Sequence, residues 1–307
     1  MNGDERPTRA ISGQLVETIA GELEQSGLNM FAVLDRRIVD DCALSDRALN
    51  DRIPNESALN DPDAYSSTPR NHAVSDAVCD SARGDVASDD TTPSSEIRSV
   101  ALIGNSGRRL WNCLPDVTGQ EHLVDDYSCR EVSRVLTKYL GETGWAILYP
   151  DRSGNTVPPL QYLGGRAGWH HPSPLGSGIH PQHGLWFAYR AVVVFAFELP
   201  ESRLSVLHTA DTNNGNASGA SPCVSCIDQP CIRSCPASAL GIDRAPDLNA
   251  CAGFRSAEQS PCAERCLARE SCPVGVQSRY VDEQINYHYR QSLESLRRWV
   301  AETGSEQ

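Results

Sequence analysis

Cys223-Val-Ser-Cys226-Ile-Asp-Gln-Pro-Cys231-Ile-Arg-Ser-Cys235-Pro236 decides how this chain is read. A second run follows it: Cys251, Cys262, Cys266 and Cys272-Pro273. Together they hold eight of the twelve cysteines, and each run ends in Cys-Pro. Two [4Fe–4S] clusters need eight thiolates, four per cluster, and cluster-binding runs of the form C-x2-C-x2-C-x3-C-P end in the same way. The first run here is two residues longer in the middle, C-x2-C-x4-C-x3-C-P, and the second has ten, three and five residues between its cysteines. Three closely spaced cysteines wrap one cubane, and the chain carries each run's last cysteine to the neighbouring cubane. By that rule Cys223, Cys226, Cys231 and Cys272 hold one cluster, and Cys251, Cys262, Cys266 and Cys235 hold the other.

Two other chemistries use eight cysteines. Zinc sites come as C-x2-C pairs, often with histidine. Only Cys223 and Cys226 make such a pair, and no histidine lies between His208 and His288. Disulfide frameworks belong to small secreted domains, and nothing in the composition suggests secretion. Both stay open beside the iron–sulfur reading.

The 307 residues allow one large or two modest domains. A hydrophobic content of 39% with 6% aromatics is low for a compact chain of this length and points to a sizeable segment outside the core. The net charge of −13 argues against nucleic acid as a partner. Met1 to Ile11 is polar, and no stretch approaches the roughly 18 apolar residues of a membrane helix. The expectation is a cytoplasmic protein with no membrane partner.

Hydrophobic periodicity predicts an opening helix from Thr8 to Gln25, with Gly27 as its stop, and a short strand from Met30 to Leu34. Residues 35–96 are rich in Asp, Ser, Asn, Ala and Arg. Such a segment buries too little apolar surface to offset ordering entropy, so an acidic disordered insert is expected, with Cys42 and Cys79 outside any ligand set. Ser99 to Gly104 reads as a strand entering a glycine-bearing turn, Gly104-Asn-Ser-Gly107, which lacks the phosphate-binding patterns and reads better as a plain tight turn. Cys113 and Cys129 read as core or surface thiols. A helix over Leu123–Leu140, a strand over Trp145–Tyr149 and a glycine-weakened helix over Leu160–Trp169 follow. Residues 209–222 have linker composition, and Tyr280 to Glu302 reads as a closing helix.

Between these lies Ser177-Gly-Ile-His180-Pro-Gln-His183-Gly184-Leu-Trp186-Phe187-Ala-Tyr-Arg190, a Gly/Pro loop running into a β-branched central strand. His170 and His171 precede it. A loop of this kind is a common ligand site, and equally a structural loop with surface histidines.

The segment resembles the core of the cblC-type cobalamin-processing proteins, which have a flavin-nitroreductase-like fold and a similar His-Pro, Gly-x-Trp-Phe-Ala, Arg pattern. The matching positions are His180, Pro181, Gly184, Trp186, Phe187, Ala188 and Arg190. The resemblance implies a corrinoid pocket, with His180, Gly184, Trp186 and Arg190 as cofactor-binding residues. The order of parts is similar to that of epoxyqueuosine reductases and reductive dehalogenases, where a domain of this fold precedes a two-cluster ferredoxin module that feeds electrons to cobalamin. The chain departs from both in the x4 spacing of its first run and in having no C-terminal helical-repeat domain. It looks like a bacterial 4Fe-4S ferredoxin-like protein of this layout.

The expected fold class is α+β: a nitroreductase-like α/β domain over 1–34 and 97–208, the insert 35–96, the linker 209–222, a two-cluster ferredoxin-like module over 223–277, and a closing helix over 280–302. The expected function is electron transfer through two [4Fe–4S] clusters, from a low-potential donor protein, to a corrinoid or flavin in the first domain. As an enzyme it would be a cobalamin-dependent reductase acting on a small molecule. The alternatives are a non-enzymatic electron carrier and a cobalamin-processing chaperone. No catalytic residue is legible.

Overall fold

The computed structural model describes residues 11–35, 37–38, 97–115, 122–150, 158–205, 220–242 and 244–304. Nearly all of the expected insert and the linker up to residue 219 lie outside these, as do Cys42 and Cys79. Ile38, which the sequence reading assigns to the insert, is described and is buried.

The chain is mixed α and β, with a five-stranded sheet, a two-stranded ribbon and eight helices among the described residues. It divides into two compact units. The first comprises Met1–Asn105, Cys113–Ala167 and Tyr189–Ala210; the second comprises Ser106–Asn112, Gly168–Ala188 and Asp211–Gln307. The second unit thus takes in two short segments from earlier in the sequence together with all eight clustered cysteines.

In the first unit, helix α1 (Gly13–Gln25) starts at Ser12, whose hydroxyl accepts from Leu15 N at 3.2 Å. It buries Val16, Ile19, Ala20 and Leu23. It ends where Gly27 takes φ +82°: Gly27 N donates to Glu24 O and Leu28 N to Leu23 O, the paired bonds that close a helix through a left-handed glycine. Helix α3 (Leu123–Leu140), beyond the short α2 (Arg109–Cys113), carries Asp125 and Asp126 in its first turn and Lys138 in its last, matching the helix dipole. It packs on α1 through a polar seam. Glu22 accepts from Arg134, Lys138 and Tyr139, and Tyr127 OH donates to Ser26 O.

The sheet runs in the order β3-β6-β2-β1-β7, with β1 (Met30–Asp35), β2 (Ser99–Ser106), β3 (Trp145–Tyr149), β6 (Phe187–Phe195) and β7 (Ser202–Ser205). β1 pairs antiparallel with both β2 and β7, and β3 antiparallel with β6. All eight residues of β2 are buried. That explains a departure from the sequence reading: β2 does not stop at Gly104 but continues through Asn105 and Ser106, and the turn comes at Gly107, with φ +65°. Leu160–Arg166 forms helix α4.

The second unit holds the ribbon of β4 (His171–Pro172) and β5 (Gly178–Ile179), and the short helices α5 (Pro230–Arg233), α6 (Leu248–Ser256) and α7 (Leu267–Glu270). A 3-10 turn over Val276–Ser278 leads into α8 (Asp282–Gly304). Leu293 of α8 is buried, whereas Trp299 is exposed. Among the described residues no helix is long and apolar enough to cross a membrane.

Candidate metal and cofactor site

The cysteine runs fold as a series of short helices joined by turns. Pro230 opens α5, placing Cys231 in its first turn. Asp247 caps α6 by accepting from Ala250 N at 2.9 Å, and α6 carries Cys251. Cys266 caps α7, its sulfur accepting from Arg269 N at 3.4 Å.

All ten described cysteines are free thiols. Five of the eight clustered ones have raised pKa values, and the cysteines that help to raise them differ between the two sets. Burial pushes the Cys223 thiol up, and Cys272 and Cys226 push the same way. Burial raises Cys231 too, reinforced by Cys272, Cys223 and Cys226. Burial raises Cys272, with Cys226 adding to it. In the other group burial raises Cys251, reinforced by Cys266, Cys235 and Cys262, and raises Cys262, reinforced by Cys266 and Cys235. Packing agrees for the first group: Cys272 lies in one apolar cluster with Ile179 and Leu185, against which Cys223, Leu175 and Val274 pack. The last cysteine of the second run therefore sits with the first cysteine of the first run, and Cys235 is among the groups that raise Cys251 and Cys262. Among the described residues no three His, Cys, Asp or Glu side chains draw together closely enough to hold a single metal ion.

The histidine loop belongs to this same unit. His180 N donates to Gly184 O and Gly184 N to His180 O, both at 2.8 Å, closing a turn over Pro181. His180 Nδ1 accepts from Gln182 N and His183 N at 3.1 and 3.2 Å, so the neutral ring carries its proton on Nε2. Burial, with His183 and His170 adding to it, drops the His180 pKa to about 3. His183 Nδ1 lies 2.8 Å from the buried Ser278 hydroxyl. Trp186 is wholly buried, edge-on to Tyr280, with the Arg269 guanidinium 4.6 Å from its ring centroid. Arg269 also donates twice to Leu185 O, at 3.2 and 2.6 Å.

Three of the four residues named as cofactor ligands, His180, Gly184 and Trp186, are thus engaged by the second unit's own packing. The fourth, Arg190, belongs to β6 of the first unit. It is 7% exposed and donates from Nε to Asn105 Oδ1 at 2.6 Å. No carboxylate of a described residue lies within 4 Å of it. Asn105 is fully buried, and its Nδ2 has no hydrogen-bond partner among the described residues. Sequence reasoning passed over Asn105 because it lay in what read as a turn. The signal that could have found it is a polar residue inside a strand buried on both faces.

No family model, curated protein or solved structure matches this chain.

Proposed function

We propose that the protein is an iron–sulfur electron-transfer protein holding two [4Fe–4S] clusters. The observation that carries this is that the eight cysteines of two Cys-Pro-ended runs form no disulfides, and that Cys272, the last of the second run, packs against Cys223, the first of the first. A tetrahedral zinc site, with Zn–S of about 2.3 Å, needs its sulfurs roughly 3.8 Å apart. A cubane takes one sulfur per iron and spreads its ligands wider, which suits thiols that feel one another without enclosing a single-ion space. Partly desolvated neighbouring thiols are hard to ionise together because their thiolates repel, and a bound metal centre relieves that repulsion. The first cluster would be held by Cys223, Cys226, Cys231 and Cys272. The second would be held by Cys235, Cys251, Cys262 and Cys266. When bound, the clusters supply one-electron chemistry; the chain supplies the thiolates, N–H donors such as Arg269 N, and an apolar wall from Ile179 and Leu185.

The acceptor we propose is a corrinoid or flavin held by the first unit, in keeping with the resemblance of its sequence to nitroreductase-like proteins. Arg190 and Asn105 fit such a ligand: a buried guanidinium without a carboxylate and a buried unbonded amide N–H both suit a phosphate, carboxylate or amide group. Titrating cobalamin and flavin into wild type and Arg190→Ala, followed by absorption, tests this. Saturable binding weakened by the substitution supports the reading. If neither ligand binds wild type, the corrinoid and flavin assignment fails. The electron-carrier reading then stands in its place, favoured already by the engagement of His180 and Trp186 in the protein's own packing.

A further inference from the structure

Five arginines of the second unit, Arg255, Arg265, Arg269, Arg279 and Arg290, differ in what they pair with. Arg265 pairs with Glu270 and Asp282, and Arg290 with Glu264, as surface cations commonly do. Arg255, Arg269 and Arg279 have no carboxylate within 4 Å among the described residues, yet all three are half-buried and firmly placed. Arg255 donates to Cys262 O, Ala263 O, Tyr289 O and Ser292 Oγ, and its guanidinium lies 4.7 Å from the Tyr289 ring centroid. Arg269 is fixed by Leu185 O and the faces of Trp186 and Tyr280. Arg279 donates to Glu270 O and lies over Trp186 at 5.7 Å.

A guanidinium does not lose its proton in a protein. Three half-buried cations anchored on carbonyls, hydroxyls and rings are a charge that the described residues leave without a carboxylate, and partly desolvated charge is costly unless paired. Each sits beside the cysteines. Arg255 shares α6 with Cys251 and bonds the carbonyl of Cys262; the amide of Arg269 bonds the Cys266 sulfur; Arg279 follows Cys272 across the Val276–Ser278 turn. The distribution is uneven. The group of Cys235, Cys251, Cys262 and Cys266 has Arg255 and the N–H of Arg269, whereas the group completed by Cys272 has Arg279.

We infer that Arg255 and Arg279 are the counter-charges of the two clusters and set their reduction potentials apart, with Arg255 making the cluster at Cys251, Cys262 and Cys266 the more readily reduced. This rests on the iron–sulfur reading. A cubane gains one negative charge when it takes up one electron, so a fixed cation close by stabilises the reduced form and raises the potential. With the less reducible cluster carrying the stronger reductant, the pair forms a step rather than two equal stores.

The test is an EPR-monitored dithionite titration of full-length, anaerobically prepared protein, with iron measured on the same samples. Wild type should show two midpoints. Arg255→Gln with full iron should lower the higher one by a tenfold or larger change in the reduction equilibrium, about 59 mV for a one-electron couple, and leave the lower in place. Arg279→Gln should move the lower one, and Arg255→Lys, which keeps the charge, should stay near wild type. The inference is overturned if fully loaded Arg255→Gln moves neither midpoint or both alike, or if Arg255→Lys falls as far as Arg255→Gln. Should Arg255→Gln lose iron, Arg279→Gln decides: an unmoved lower midpoint overturns the inference. Wild type without iron refutes the iron–sulfur reading itself, and the inference with it.

Discussion

Gly184 and Gly275 stand against one another, each with a left-handed backbone, φ +59° and +71°, and each leaving the other no room for a side chain. A Cβ on Gly184 would run into the carbonyl of Val274, and one on Gly275 into the carbonyl of His183. This close approach joins the histidine turn to the loop that follows Cys272-Pro273. Left-handed backbone alone costs an alanine about 1–2 kcal/mol, and backbone carbonyls cannot swing aside as a flexible side chain can. Gly184→Ala should therefore lower the unfolding midpoint in urea by more than that conformational cost implies. An alanine variant as stable as wild type would show that the two loops are not pressed together.

Anaerobically purified protein should carry about eight iron and eight acid-labile sulfides per chain, because eight thiols lie in two groups of four. About four iron would mean that only one group loads, and stoichiometric zinc in place of iron would rule out the redox reading.

Paired substitutions separate a crossed ligand set from a self-contained one. Cys223→Ala with Cys272→Ala should remove one cluster and leave about four iron, since both cysteines belong to the same group. Cys223→Ala with Cys235→Ala should strip both clusters. The reverse pattern of iron contents would show that each run holds its own cluster.

His180 gives a pH dependence of known sign. Its pKa is about 3 in the folded chain, against roughly 6.5 when unfolded. Between those values the unfolded state binds more protons, so stability falls as pH drops from about 6.5 towards 3 and then levels off. His183, lowered by burial and by the Arg109 charge, works in the same direction. His180→Asn, which offers an oxygen to the same backbone N–H groups, should lose less stability than wild type between pH 6.5 and 4 in urea unfolding. Equal losses would remove His180 from the acid response.

What the sequence revealed depended on how local the cause was. The helix over Leu123–Leu140 and the strand over Trp145–Tyr149 appear with the expected bounds, because periodicity, a terminal glycine and a β-branched or aromatic run act over neighbouring residues. β7 escaped notice: Ser202–Ser205 has little strand character of its own and is a strand through its pairing with β1. The exchange of Cys235 and Cys272 is what the Cys-Pro endings imply, and the iron contents of the paired variants test it. The contact of Gly184 with Gly275 was not legible, since nothing local to either glycine names a partner so far along the chain. The three arginines without carboxylates were equally silent, because a sequence shows charges but not which of them are left unpaired.

The patchwork make-up of the second unit has a consequence for biosynthesis. Trp186 emerges from the ribosome long before Tyr280 and Ile285, the residues that cover it, and Cys223 long before Cys272. The sheet, whose last strand ends at Ser205, can assemble while the rest is still being made. On the crossed ligand set proposed above, the cysteine groups cannot close until both runs are out. Metal delivery would then be a late, post-translational event acting on an otherwise folded chain. Ribosome-arrested chains ending before Cys272 should accordingly take up no iron at the first group, and iron found there would show that loading starts earlier.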